Sequence, residues 1–319
     1  MRLLITGING FVGKALAYES TRRGIQVKGV VRSPLKLPPE LETSIIDVID
    51  GETDWMYALK ESEVVVHLAA RVHVKNESAA DPSNEYRTVN VDGTLNLARQ
   101  AVEANVRRFV FISSIKVNGE STPFDKAFTA NDIPDPRNPY SVSKNDAEQG
   151  LRKLAVETGM EVVIIRPPLV YGPEVKANFL TMMRWLYNGI PLPFGAIHNQ
   201  RSLVALDNLV DLIITCLDRP AAANQVFLAG DGEDLSTTEL LRRLGLALGK
   251  PARMLPVPVA LFKAGTALIG RRDIAQRLCG SLRVDISKAR NLLGWNPPIS
   301  VDEGLRRTAQ SFLAATTKK

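Results

Sequence analysis

RLLITGINGFVG, residues 2–13, is a short apolar run that passes directly into a G-x-x-G-x-x-G loop opening a helix. Glycine is needed in such a loop because the backbone must turn tightly and come within contact distance of a pyrophosphate. The phosphate charge then rests on amide groups at the positive end of the helix. A glycine loop alone marks only a tight turn. Behind an N-terminal strand it marks a dinucleotide cradle, formed here by Gly7, Asn9, Gly10, Phe11, Val12 and Gly13.

Working outward, further Val/Ile/Leu runs follow: QVKGVVR, SIID, EVVVHLAA, RFVFISS and EVVIIRP, separated by amphipathic stretches at 12–23, 92–105 and 139–157. Strands that are apolar without polar alternation are buried on both faces. The order therefore predicts an α/β protein with a Rossmann-type, doubly wound parallel sheet. The second half (VKANFLTMMRWLYNGIPLPFG, STTELLRRLGLALG, VALFKAGTALIG, VDEGLRRTAQSFLAA) reads as a smaller, mainly helical C-terminal substrate lobe. Residues 1–166, with 204–230 returning to them, form the expected dinucleotide domain; 167–203 and 231–319 form the lobe.

The bulk composition narrows the class. With 319 residues, 45% hydrophobic and 23% charged, the chain has the make-up of an ordinary globular protein. Its net charge of +6 is scattered rather than gathered in blocks, which argues against nucleic acid and suits an anionic small molecule. Cys216 and Cys279 provide neither a disulfide framework nor metal-ligand spacing, and His73 and His198 stand alone, so no metal is expected. No apolar run approaches the roughly 18 residues of a membrane span, and the expected location is the cytoplasm.

The second strand ends in Arg32-Ser33, where an NAD enzyme usually places an acid for the ribose diol, about 20 residues past the glycines. An arginine pairs with a 2′-phosphate or stacks on adenine, so NADP(H) is favoured and NAD(H) stays possible. Asp47 and Val48 are placed to meet the adenine. Leu68, Ala69 and Ala70 line the crevice beside the nicotinamide, with His67 a structural residue. Tyr140-Ser-Val-Ser-Lys144 follows Asn138-Pro139, a helix N-cap and first-turn proline. One turn apart, the Lys144 ammonium, together with an oxidised nicotinamide, can lower the pKa of the Tyr140 phenol for acid/base work. Ser113-Ser114, at a strand end, offer a hydroxyl to the reacting oxygen of a substrate.

These motifs together (TGINGFVG, DV at 47–48, HLAA, NVDGTLN at 90–96, SSIKVNG at 113–119, YSVSK and RPPLVYGP at 166–173) resemble the extended short-chain dehydrogenase/reductase family over essentially the whole chain. The resemblance implies that Ser114, Tyr140 and Lys144 are catalytic, and that Asn90 supports the active-site helix. It implies that Pro167 to Leu169 flank the nicotinamide, that Asn178-Phe179 contact the nucleotide, and that Arg201 binds the diphosphate of a UDP-sugar. Arg272, Arg277 and Arg283 compete as its second arginine, with Arg277 preferred. A homodimer through a four-helix bundle of 92–105 and 140–157 is also implied.

Three chemistries share that scaffold. Ile115-Lys116 replace the Asp-Glu pair of the 4,6-dehydratases and remove that activity. Arg32, Asn118 in place of the tyrosine of VYG, and a resemblance to bacterial UDP-N-acetylquinovosamine dehydrogenases together favour a 4-ketoreductase. Its substrate would be a UDP-4-keto-6-deoxy-N-acetylhexosamine serving O-antigen or polysaccharide synthesis. A UDP-sugar 4-epimerase is the alternative, and a non-catalytic NADP-binding sensor the second.

Overall fold

The computed structural model describes residues 1–33, 41–72, 81–268, 270 and 272–317. Its strands are β1 (Arg2–Thr6), β2 (Gln26–Val31), β3 (Glu42–Ile45), β4 (Val64–His67), β5 (Arg108–Ile112), β6 (Glu161–Arg166), β7 (Leu169–Tyr171), β8 (Arg201–Ala205), β9 (Val226–Leu228) and β10 (Asp234–Leu235). The helices are α1 (Phe11–Arg22), α2 (Met56–Leu59), α3 (Pro82–Arg87), α4 (Gly93–Glu103), α5 (Pro139–Thr158) and α6 (Ala177–Tyr187). They continue with α7 (Leu206–Asp218), α8 (Thr237–Ala247), α9 (Val259–Leu268), α10 (Arg272–Cys279), α11 (Ser287–Leu293) and α12 (Val301–Thr317).

Seven strands form one sheet in the order β3-β2-β1-β4-β5-β6-β9, and every neighbouring pair is parallel. Side chains alternate across a strand, and both alternating sets are apolar here. Leu3, Ile5, Val64, Val66 and Val110 enter one core with α1 and α7, while Leu4, Val65, Phe109, Phe111 and Val162 enter another with α4 and α5. This double burial produces the unbroken apolar runs in the sequence. The Rossmann-type doubly wound sheet expected from the motifs is what the chain forms.

The order in which strands are added to the sheet reverses between β1 and β4, which opens a crevice at their C-terminal ends. The glycine loop sits there, against the end of β4: a Cβ on Gly7, whose φ is +68°, would lie 2.9 Å from the Ala69 amide nitrogen. Gly29, inside β2, clears space for Ile8 in the same way, since its Cβ would meet Ile8 Cδ1 at 2.4 Å.

A second sheet, β10-β8-β7, joins α6, α8 and α12 around Tyr171, Phe179, Met183, Leu241, Leu244 and Leu305. The lobe is thus not built from helices alone. Its strands escape a periodicity reading because β7 has three residues, and because β8 runs into α7 with Ala205 as the N-cap and no turn residue between them. The third strand of the large sheet also begins earlier than SIID suggests, leaving Asp47 and Val48 exposed beyond its end.

A Cβ on Gly13 would lie 2.2 Å from the Gly7 carbonyl oxygen and 2.8 Å from Ile8 Cα, both backbone atoms that cannot swing aside. Gly13→Ala should therefore destabilise the fold by about 1–3 kcal/mol, read as a fall in thermal midpoint. Gly265→Ala, whose Cβ meets nothing within 4 Å, is the control that should show no loss.

Candidate active site

The first helix begins without a side-chain cap or any acidic residue in its first turn. Gly10 N donates to Gly7 O at 2.9 Å, and the first helical bond beyond the loop is Lys14 N to Gly10 O at 3.1 Å. The amides of Phe11, Val12 and Gly13 precede that bond, so they face outward at the positive helix end. Asn9 and Gly10 are exposed, and Leu68, Ala69 and Ala70 are half-buried alongside. A cradle that a single Cβ would fill, topped by an uncapped helix, fits a dinucleotide pyrophosphate. Arg32 lies exposed at the end of β2. Pro167 is buried where β6 ends, and Leu169 is 46% exposed.

Helix α5, which carries Tyr140 and Lys144, starts as its sequence foretells. Asn138 Oδ1 accepts from Ser141 N at 3.0 Å, Ser141 Oγ accepts in return from Asn138 N at 3.1 Å, and Pro139 takes the first turn. Such a cap is worth about 1 kcal/mol, and it fixes the phenol one residue further on. Tyr140 is hydrogen-bonded to the Ser114 hydroxyl and packs edge-on against Tyr86 at 6.3 Å. Lys144, one turn later, is buried; its Nζ donates to Ile112 O at 2.9 Å and lies 4.4 Å from the centre of the Phe111 ring.

Burial dominates both titrations. It pushes the Tyr140 phenol up to about 12, with the Ser114 hydrogen bond pulling the other way, and it brings the Lys144 ammonium down to about 7. The lysine head donates to the Ile112 carbonyl. In the free protein burial therefore holds the phenol above its ordinary range. A further positive charge at the phenol is needed, and an oxidised nicotinamide is a group of that kind.

Asn90 lies in a π-helical turn, Thr88–Asp92, between α3 and α4, a feature that no sequence period signals. Its amide donates to Arg71 O and to Ser143 Oγ, both at 3.0 Å, and its Oδ1 accepts from Arg71 N at 2.8 Å. Ser143 Oγ in turn donates to Tyr140 O at 2.8 Å. Asn90 thus ties the segment after β4 to helix α5.

A directed chain of hydrogen bonds backs this contact. Thr6 Oγ1 accepts from Leu68 N and Ala69 N, each at 3.2 Å, which fills its lone pairs, so its proton goes to His67 Nδ1 at 2.8 Å. His67 Nε2–H then donates to Thr94 Oγ1 at 3.0 Å, and Thr94 donates to Asn90 O at 2.7 Å. A charged imidazole would carry a second proton with no acceptor, and burial brings His67 down to about 3.

Two further residues went unnoticed in the sequence. Glu148, one turn beyond Lys144, pairs with Arg166 at the end of β6 in a buried, two-pronged contact of 2.9 and 2.5 Å, and its charge raises Lys144. Asn118 Oδ1 accepts from Arg166 Nη1 and Asn118 Nδ2 donates to Thr129 O, both at 2.9 Å. Its departure from VYG therefore serves the buried arginine and does not discriminate between reactions. The i+4 spacing from Lys144 is the one signal that could have drawn attention to Glu148.

On the substrate side, Arg201 Nη1 donates to the carbonyl oxygens of Arg277 and Gly280, each at 3.0 Å, and burial lowers its pKa. Arg277 is exposed and acts electrostatically on Lys116, two residues from Ser114. Arg283 is neutralised by Asp234 at 2.7 Å. The Arg272 side chain and His73 lie outside the described residues. Asn178 is exposed, but the Phe179 ring is not available to a nucleotide: it is 2% exposed and stacked on Tyr171 at 5.6 Å. Among the described residues no cluster of three His, Cys, Asp or Glu could hold a metal.

Residues 3–230 match the family model described as the NAD dependent epimerase/dehydratase family. The chain belongs to that family. A UDP-glucose 4-epimerase of Vibrio cholerae is 50% identical over 318 residues, covering 99% of this chain and 97% of the relative. The crystal structure of a Thermotoga maritima UDP-glucose 4-epimerase with UDP-glucose superimposes with a TM-score of 0.79 at 24% identity, over 99% of this chain and 100% of that one. A Thermus thermophilus UDP-glucose 4-epimerase in complex with NAD gives the same three figures of 0.79, 24% and 99%, again over the whole of that chain. The full-length similarity at 50% identity overturns the 4-ketoreductase reading. That reading rested on Arg32, Asn118 and a resemblance to UDP-N-acetylquinovosamine dehydrogenases, and Asn118 is bonded to Arg166 and Thr129.

The His67 site carries a pH signature. Between about 6.5 and about 3 the unfolded chain binds a proton that the folded protein refuses, so stability falls as pH falls, by at most about 1.4 kcal/mol per pH unit from this residue. Chemical denaturation from pH 7 to pH 5 should show that slope reduced in His67→Gln. An unchanged slope would mean that His67 ionises freely.

Proposed function

We propose that this protein is a UDP-hexose 4-epimerase working on a retained NAD. The observation that carries the reading is the Ser114–Tyr140 hydrogen bond beside buried Lys144, at the mouth of the glycine cradle, in a chain 50% identical along its length to a UDP-glucose 4-epimerase.

Bound NAD supplies the hydride acceptor and donor. In this reading Tyr140 takes the proton of the sugar's C4 hydroxyl and returns it after the 4-keto sugar has turned its other face, so no cofactor is consumed. Ser114 holds the reacting oxygen, and the buried Lys144 and the nicotinamide charge favour the phenolate. Arg201 and Arg277 hold the diphosphate, so the hexose pivots about a fixed anchor. Residues 1–166 with 204–230 form the NAD side, and 167–203 with 231–319 the sugar-nucleotide side.

The preference for NADP drawn from Arg32 is not kept. The family is described as NAD dependent, and the Thermus thermophilus relative was solved with NAD; an exposed arginine at the end of β2 stacks on adenine as readily as it pairs with phosphate. Cytoplasmic placement belongs to the same reading, in keeping with two free cysteines. So does a homodimer through the outer faces of α4 and α5, where Val156 is 88% exposed; light scattering should give twice 35.0 kDa, and the monomer mass would refute it.

The deciding experiment is NMR of UDP-glucose incubated with the purified protein. UDP-galactose should appear with no net change in NADH or NADPH. Stoichiometric oxidation of NADPH on a 4-keto sugar, without epimerisation, would defeat the proposal. Tyr140→Phe should lower kcat by about 10²–10⁴ with dinucleotide affinity retained by calorimetry.

A further inference from the structure

Helix α9 has one charged residue, Lys263, in ten, and among the described residues only one of its sides is covered. Phe262 and Thr266, a turn apart, face inward: the Phe262 ring meets Phe194 edge-on at 5.5 Å, Thr266 is buried, and Val259 joins the same core. The other side follows the i, i+3, i+4, i+7 spacing of a single helix face, with Leu261, Ala264, Gly265 and Leu268, and it stands in solvent. Leu261 is 64% and Leu268 88% exposed, and a Cβ on Gly265 would meet nothing within 4 Å. Leu255 and Pro256, just upstream, are exposed as well. Burying Phe262 and Thr266 accounts for one face; a helix apolar on both faces needs a second apolar partner.

Charge identifies that partner. From residue 240 to residue 272 the sequence holds seven Lys and Arg and no Asp or Glu. Arg243 is taken up by Glu233, Glu239 and Asp302, but Arg242, Lys250, Arg253 and Lys263 are exposed. A second copy of the chain would present the same positive charge to this face and be repelled. An apolar stripe in a stretch of chain whose exposed charges are all positive suits an anionic lipid surface.

We propose that the outer face of α9 docks on an anionic bilayer, with Leu261 and Leu268 entering the headgroup region and the neighbouring cations meeting lipid phosphates. No helix among the described residues is long and apolar enough to cross a membrane, so the contact lies on the surface. Helix α9 packs against α10, whose Arg277 carbonyl holds Arg201. Docking therefore sets the Arg201 side of the site close to the bilayer.

The test is sedimentation of the full-length protein with vesicles of phosphatidylcholine, with and without phosphatidylglycerol. The protein should pellet with the anionic vesicles, less so as salt rises, and Leu268→Glu and Gly265→Glu should each weaken partitioning about tenfold or more. Both substitutions point into open space, so thermal midpoint and turnover of a soluble UDP-sugar should stay at the wild-type level. Three results would overturn the proposal: no pelleting with anionic vesicles; pelleting undiminished in both variants; or a wild-type self-association that Leu268→Glu abolishes, which would assign the face to a second copy.

Discussion

The site depends on one directed run of hydrogen bonds, from Thr6 through His67 and Thr94 to Asn90. Thr6 ends the strand that delivers the glycine loop, and Asn90 grips Arg71 and Ser143. The dinucleotide cradle and the helix carrying Tyr140 and Lys144 are thereby held in one fixed relation. Each link has a single allowed direction, because Thr6 has already spent its lone pairs on Leu68 and Ala69. A buried neutral histidine accepts at one ring nitrogen and donates at the other, so it bridges Thr6 and Thr94. Burial, which holds His67 neutral, keeps the polarity of the chain from reversing.

Desolvation governs the chemistry as well. The same interior that strips water from His67 raises the Tyr140 phenol and depresses the Lys144 ammonium, and both shifts work against the ionic pair an acid/base cycle uses. Glu148, held by Arg166, pushes Lys144 back towards its charged form from one turn below. The free protein is thus poised short of its working ionisation. A cationic nicotinamide beside the phenol would complete it, so reactivity would be confined to the loaded enzyme.

Much was legible in the sequence where a local rule governs the outcome. Gly7, Gly10 and Gly13 were readable because the backbone at the loop tolerates no Cβ, and the cap at Asn138-Pro139 because capping chemistry is confined to four consecutive residues. The uniform apolar runs revealed a doubly covered parallel sheet, since burial on both faces removes polar alternation. The readings that failed concern residues whose partners are distant along the chain. Asn118 meets Arg166, 48 positions away, and Phe179 meets Tyr171 inside a core that also draws on α8 and α12.

By itself, therefore, the sequence determined the fold class, the cradle and the Tyr140–Lys144 spacing, all of which follow from contacts within a turn or a strand. Only the tertiary structure decided which way Lys144 points, what Asn90 and His67 connect, which arginine is already paired and which aromatic belongs to the core. Those outcomes depend on burial and on the direction of hydrogen bonds between segments brought together from across the chain.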